Sequence, residues 1–176
     1  QVMRGRADAR RAGWMFTDLA EMLVQALLER TEAEFARQHG TVAGGMYAIL
    51  GMGKLGAREM TAASDLDLIF LYDAPPDAVS DGRSKLPAAA YYVRLSQRLI
   101  TALSAPTARG RLYEVDARLR PSGIQGQLAV SLEGFLKYER DEAWTFEHMA
   151  LTRARPVAGS PALLARAADG IRSVLT

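Results

Sequence analysis

Hydrophobic and polar positions along the chain alternate in blocks of two different periods. Between residues 14 and 38, Phe16, Leu19, Leu23, Leu27 and Leu28 recur at helical spacing, with Asp18, Glu21, Glu29 and Arg30 between them. This predicts an amphipathic helix ended by Gly40 and the Gly44–Gly45 region. Residues 46–50 form a short apolar run of strand length. Residues 66–72 form a second, stronger one, stopped by Pro75 and Pro76. Residues 74–86 read as a polar loop, and 88–103 as a helix with Tyr92, Leu95, Leu99 and Leu103 on its apolar side. Residues 111–120 alternate and predict a strand closed by Pro121, Ser122 and Gly123; 127–131 predict another short strand. From residue 132 to the end the pattern is helical, interrupted between Pro156 and Pro161.

Strands and helices without regular βαβ alternation predict an α+β or mixed α/β fold. The chain divides into three segments: an N-terminal helical segment (1–45), a sheet-bearing core (46–131) and a C-terminal helical segment packed on that core (132–176). A chain of 176 residues suits one domain of ordinary size. It opens on Gln1 and closes inside a helical pattern, so it is expected to be a piece of a longer protein.

Composition changes this picture little. At 49% hydrophobic and 24% charged the chain can bury a substantial core. Its 22 basic and 20 acidic residues leave a net charge of only +2, with no clustered basic stretch, so a nucleic-acid partner is not expected. Only Lys54, Lys85 and Lys137 are lysines; the other basic residues are arginines. With no cysteine, disulfides and thiolate metal sites are excluded, which fits a reducing cytoplasm. No apolar run reaches the ~18 residues of a membrane span, and no secretory leader is seen.

Candidate chemistry concentrates in residues 51–70, GMGKLGAREMTAASDLDLIF. Side chains alternate along a strand, so Asp65 and Asp67 point the same way, with α-carbons roughly 7 Å apart. Such a pair can hold Mg²⁺, a hard cation that takes oxygen ligands, or can simply mark a solvated strand end. Just upstream, Gly51, Gly53 and Gly56 bracket Lys54. Their amides and the lysine would make an anion cradle, or the stretch is a glycine-rich surface turn. It matches neither the P-loop pattern nor the dinucleotide fingerprint. Ser64 would donate to a phosphate oxygen or end the turn; Glu59 reads as a solvated charge.

The stretch YEVDARLR, residues 113–120, alternates cleanly: Glu114, Asp116, Arg118 and Arg120 share a face. Asp116 stands beside the first acids if the two strands are neighbours, and Arg120 lies roughly 13 Å from it by strand rise, a reach suited to a polyphosphate. The alternative is an ordinary half-exposed strand. Taken together, three carboxylates, a Gly-Lys turn and arginines on one face point to metal-assisted nucleotidyl transfer, with Asp116 as a metal ligand or general base. Away from this cluster, Trp144, His148 and Arg155 fall at helical spacing, as a docking or stacking surface or as plain packing. Arg153 and Arg155 would point to different sides of that helix. His39 reads as a residue capping a helix end.

Three blocks, GMGKLGAREMTAASDLDLIFLYD, LYEVDARLRPSG and DEAWTFEHMALTRAR, resemble the bacterial glutamine synthetase adenylyltransferases over about residues 46–160. The resemblance implies a nucleotidyltransferase fold, a mixed sheet flanked by helices. It also implies long bifunctional enzymes with two similar catalytic halves, one attaching AMP to glutamine synthetase and one removing it. The acids of the family match Asp65, Asp67 and Asp116, and its glycine turn matches Gly53, Lys54, Leu55 and Gly56; Ala57 stands where a third glycine is common. The EVDARLRPSG and EAWTFEH blocks resemble the C-terminal, adenylylating half. The resemblance further implies ATP as AMP donor to a tyrosine of glutamine synthetase, Mg²⁺ or Mn²⁺ as cofactor, and response of the full-length enzyme to a PII-type signal protein. The alternatives are the phosphorolytic, deadenylylating half and a non-catalytic nucleotide sensor.

Overall fold

Asp8 starts the first helix by accepting the Arg11 backbone N–H at 2.7 Å. The helix, α1 (Ala9–His39), runs until Gly40, which takes a φ of 69° and donates its N–H to Ala36. The computed structural model describes residues 8–108 and 110–176, so the first seven residues of the N-terminal segment lie outside the description. After α1 come β1 (Met46–Gly51), the short helix α2 (Gly53–Ala57), β2 (Leu66–Asp73) and α3 (Ala88–Leu103). A two-stranded ribbon, β3 (Pro106–Thr107) with β4 (Gly110–Arg111), precedes β5 (Val115–Asp116) and β6 (Ala129–Ser131). The chain closes with α4 (Leu132–Asp141), α5 (Thr145–Leu151), β7 (Arg155–Gly159) and α6 (Pro161–Leu175).

The main sheet is mixed. β2 runs antiparallel to β1, and β1 antiparallel to β7. β5 and β6 both pair with β2 in parallel, β5 at its start and β6 further along. Both central strands are buried on both faces, as their near-continuous apolar runs require. Tyr47, Ile49, Leu66, Leu68 and Phe70 pack toward α1 and α3. Ala48, Leu50, Ile69 and Leu71 pack on the opposite side, with Phe135 of α4 and Leu163 and Ala167 of α6. The α+β expectation is met by this mixed sheet flanked by six helices among the described residues. None of those helices is long and apolar enough to cross a membrane.

One expectation is corrected and another gains its structural form. Residues 111–120 are not one strand: only Gly110–Arg111 and Val115–Asp116 are paired. The chain turns directly after Asp116, whose carboxylate accepts the Arg118 backbone N–H at 2.8 Å. The C-terminal stretch is interrupted near Pro156 and Pro161, as expected. Its interruption is β7, an edge strand of the sheet. Pro156, which lacks an N–H, sits opposite Leu50 at a register irregularity, where a ladder bond is dispensable.

Candidate active site

Asp67 shares the strand face of Ile69 and Leu71, but it stands at the beginning of β2, beyond the cover of α4 and α6. The parallel register sets Leu66 opposite Val115 and Asp67 opposite Asp116, so the two acids lie side by side on one face of the sheet. Neighbouring strands are about 4.8 Å apart, which leaves two carboxylates little room to avoid each other. Partial burial raises the Asp67 carboxyl above its ordinary range, and the charges of Asp116 and Asp65 add to this; Arg118 and Lys54 pull the other way. Asp65, Glu114, Asp116 and Arg118 line an open cleft of about 270 Å³.

Arg118 folds back over Asp116: Nε lies 3.0 Å and 2.9 Å from the two carboxylate oxygens, and Nη2 2.5 Å from Oδ2. This fork holds the Asp116 carboxyl below its usual range. The Arg118 side chain is otherwise 74% exposed, so nothing but Asp116 fixes it.

The glycine turn is shaped by close approach. Gly53 has a φ of 50°, and a Cβ built there would collide with Oδ2 of Asp67. The Met52 N–H donates to the Asp67 carbonyl at 2.8 Å, tying the turn to the strand. Gly56 is buried where the Arg153 backbone crosses it, and its N–H donates to Met52. Lys54 is exposed beside the acids.

The remaining expected site residues hold the frame. Ser64 is buried, and its Oγ accepts the Thr61 N–H at 2.9 Å, closing the turn before Asp65. Arg120 does not extend along a strand face; it donates to the carbonyls of Ala117, Ile124 and Gly126 and so folds the loop after β5. Trp144, His148 and Arg155 do not share a helix. Trp144 caps α5 and is exposed, and His148 on α5 donates from Nε2 to the Glu139 carbonyl at 2.6 Å. Arg155 opens β7, pairs with Glu21 of α1, and donates to the carbonyls of Leu55 and Gly56. Arg153, in the turn after α5, pairs with Glu59. His39 closes α1 with its ring against Phe35; a carbonyl only accepts, so Nδ1–H donates to Ser84 at 2.7 Å.

Sequence reasoning missed Glu114 at the rim of the cleft and the brackets from α1. Asp18 pairs with Arg58, and Glu21 with Arg155, on either side of the glycine turn. Glu114 was signalled by its alternation with Asp116. The α1 pairs join residues too distant in sequence for any local pattern.

Folded in this way, the chain is of the nucleotidyltransferase-like α+β class. It belongs to the glutamate-ammonia ligase adenylyltransferase family, whose match spans residues 1–169. It is similar to the bifunctional glutamine synthetase adenylyltransferase/adenylyl-removing enzyme of Brucella suis, with 56% identity over 99% of this chain and 18% of that protein. The like-named proteins of Mesorhizobium japonicum and Rhizobium meliloti are 53% and 48% identical, over 99% and 100% of this chain and 18% of each relative. The chain thus spans about a fifth of the length of the curated relatives it matches.

Proposed function

We propose that this chain is the adenylylating catalytic domain of a longer, cytoplasmic enzyme, moving AMP from ATP to a tyrosine hydroxyl of glutamine synthetase. The observation that carries the reading is the register of β2 with β5, which sets Asp67 against Asp116 with Asp65 and Lys54 in electrostatic reach. In the reaction the tyrosine oxygen bonds to the α-phosphorus, the bond to the bridging oxygen breaks, and pyrophosphate leaves. Asp65, Asp67 and Asp116 are the residues that would hold one or two Mg²⁺ or Mn²⁺ ions. Among the described residues no three acids or histidines are placed to share an ion, and Asp116 is held by Arg118. The donor set nevertheless fits a hard cation: it is all carboxylate oxygen, its members crowd one another, and Arg118 is free to turn into solvent. A divalent ion supplies activation of the attacking hydroxyl and neutralisation of the leaving group.

The chain's own residues divide the remaining work. Lys54 and a released Arg118 meet the phosphates, with Gly53 leaving the room that Asp67 needs. Ser64, Gly56 and Arg120 keep the turn and the loop in shape. The Arg118 fork holds the Asp116 carboxylate low, and once Arg118 turns away Asp116 is open to serve as metal ligand or as general base. Response to a PII-type protein belongs to the longer enzyme.

The test supplies the chain with labelled ATP, Mg²⁺ and unmodified glutamine synthetase, and separately with phosphate and the AMP-modified form. Label incorporation in the first reaction is expected, and its loss by at least 100-fold in Asp65→Asn and in Asp67→Asn, with melting curves that still show a folded chain. Full activity in both variants would sink the assignment of the acids. ADP release in the second reaction alone would make this the deadenylylating half.

A further inference from the structure

At the end of the sheet away from the acids, α1 and α3 are bridged by the loop that carries Arg83. The loop is held firmly: Gly82 N–H donates to His39 at 3.0 Å, Ser84 N–H to Gln38 at 3.0 Å, and the His39 ring to Ser84 at 2.7 Å. Gly40 and Gly82 meet so closely that neither could carry a side chain. Beneath this bridge lie two adjoining hollows of about 430 and 530 Å³, which share Phe35, Gln38, Ser84 and Arg98. These volumes fall in the range of small-molecule sites.

Four arginines from three elements border the hollows: Arg37 on α1, Arg83 on the loop, Arg94 and Arg98 on α3. Arg94 and Arg98 are four residues apart on one helical face, an arrangement of like charges that disfavours the helix slightly. Among the described residues none of the four makes an ion pair, although Glu34 borders the same groove. Six other arginines, Arg58, Arg118, Arg153, Arg155, Arg166 and Arg172, each hold a carboxylate. A groove with four unpaired guanidinium forks, a preformed bridge and an aromatic floor is arranged for a ligand that brings its own negative charge.

We propose that this groove binds a small polyanion carrying two or more phosphate or carboxylate groups, at a site separate from the acidic cleft. Arginine forks recognise both chemistries, so the experiment has two arms: inorganic pyrophosphate and citrate, titrated calorimetrically into the chain in metal-free buffer. At least one is expected to bind saturably, and the tighter one names the source. Binding is expected to weaken at least tenfold in Arg94→Gln/Arg98→Gln, to weaken also in Arg83→Gln, and to persist in Lys54→Ala, which alters only the acidic cleft. All three arginines are exposed, so melting temperatures should stay at the wild-type value. The proposal is overturned if neither anion binds, or if binding survives the double arginine substitution.

Discussion

Asp67 lies on the sheet face of Ile69 and Leu71, and only the missing side chain at Gly53 lets its carboxylate fit against the turn. Gly53→Ala would meet both the carboxylate and a φ of 50°. A left-handed backbone costs an L-residue about 1–2 kcal/mol. Denaturant titration should show a loss of that order. AMP transfer should fall further than stability does, since the acid itself must move. At this scale the sequence was readable where a local rule applied. Asp67 follows from strand alternation, and Asp116 meets it because β2 and β5 are neighbours; Asp65 stands one residue before β2 begins. Arg118 and Arg120 escaped the same rule because β5 ends at Asp116, and beyond a strand's end period two no longer governs direction. Gly56 was legible as a glycine but not in its role, which depends on the distant Arg153 backbone.

Elements with strong periodicity, α1, α3, β1 and β2, could be read directly from their apolar positions. β7 could not, because five residues containing a proline carry no period, and their pairing with β1 depends on a partner more than a hundred positions away. The junction of α4 and α5 held a second surprise. Glu139 on α4 is only 4% exposed, and its Oε2 has no hydrogen-bond partner. Burial, reinforced by Glu147 and opposed by His148, pushes its carboxyl from an ordinary 4.5 up to about 7. Between those values the folded chain keeps a proton that the unfolded chain releases. The stabilisation is therefore complete below the lower value and is lost as pH rises through the upper one, by about 3 kcal/mol. Glu139→Gln removes this dependence. Relative to wild type, the variant should be more stable at pH 8 than it is at pH 5, as read by urea titration at each pH. An equal offset at both would show that the carboxyl is already ionised when folded.

Across the whole molecule, two apolar clusters share one sheet, one with α1 and α3, the other with α4 and α6. β1 and β2 serve both, so neither cluster can open without exposing strands that the other needs. Phe135 is fully buried in the second cluster. Phe135→Ala is expected to cost about 3–5 kcal/mol and still give one cooperative transition, with fluorescence and circular dichroism coinciding. Separate transitions would mean that the clusters fold independently. The position of β7 also bears on how the chain is made. A ribosome releases β1, β2 and all three acids well before it releases the strand that covers the outer border of β1. Until then the nascent polypeptide carries the acid-bearing strands beside an uncovered, apolar sheet edge, the kind of border that invites mispairing with other chains.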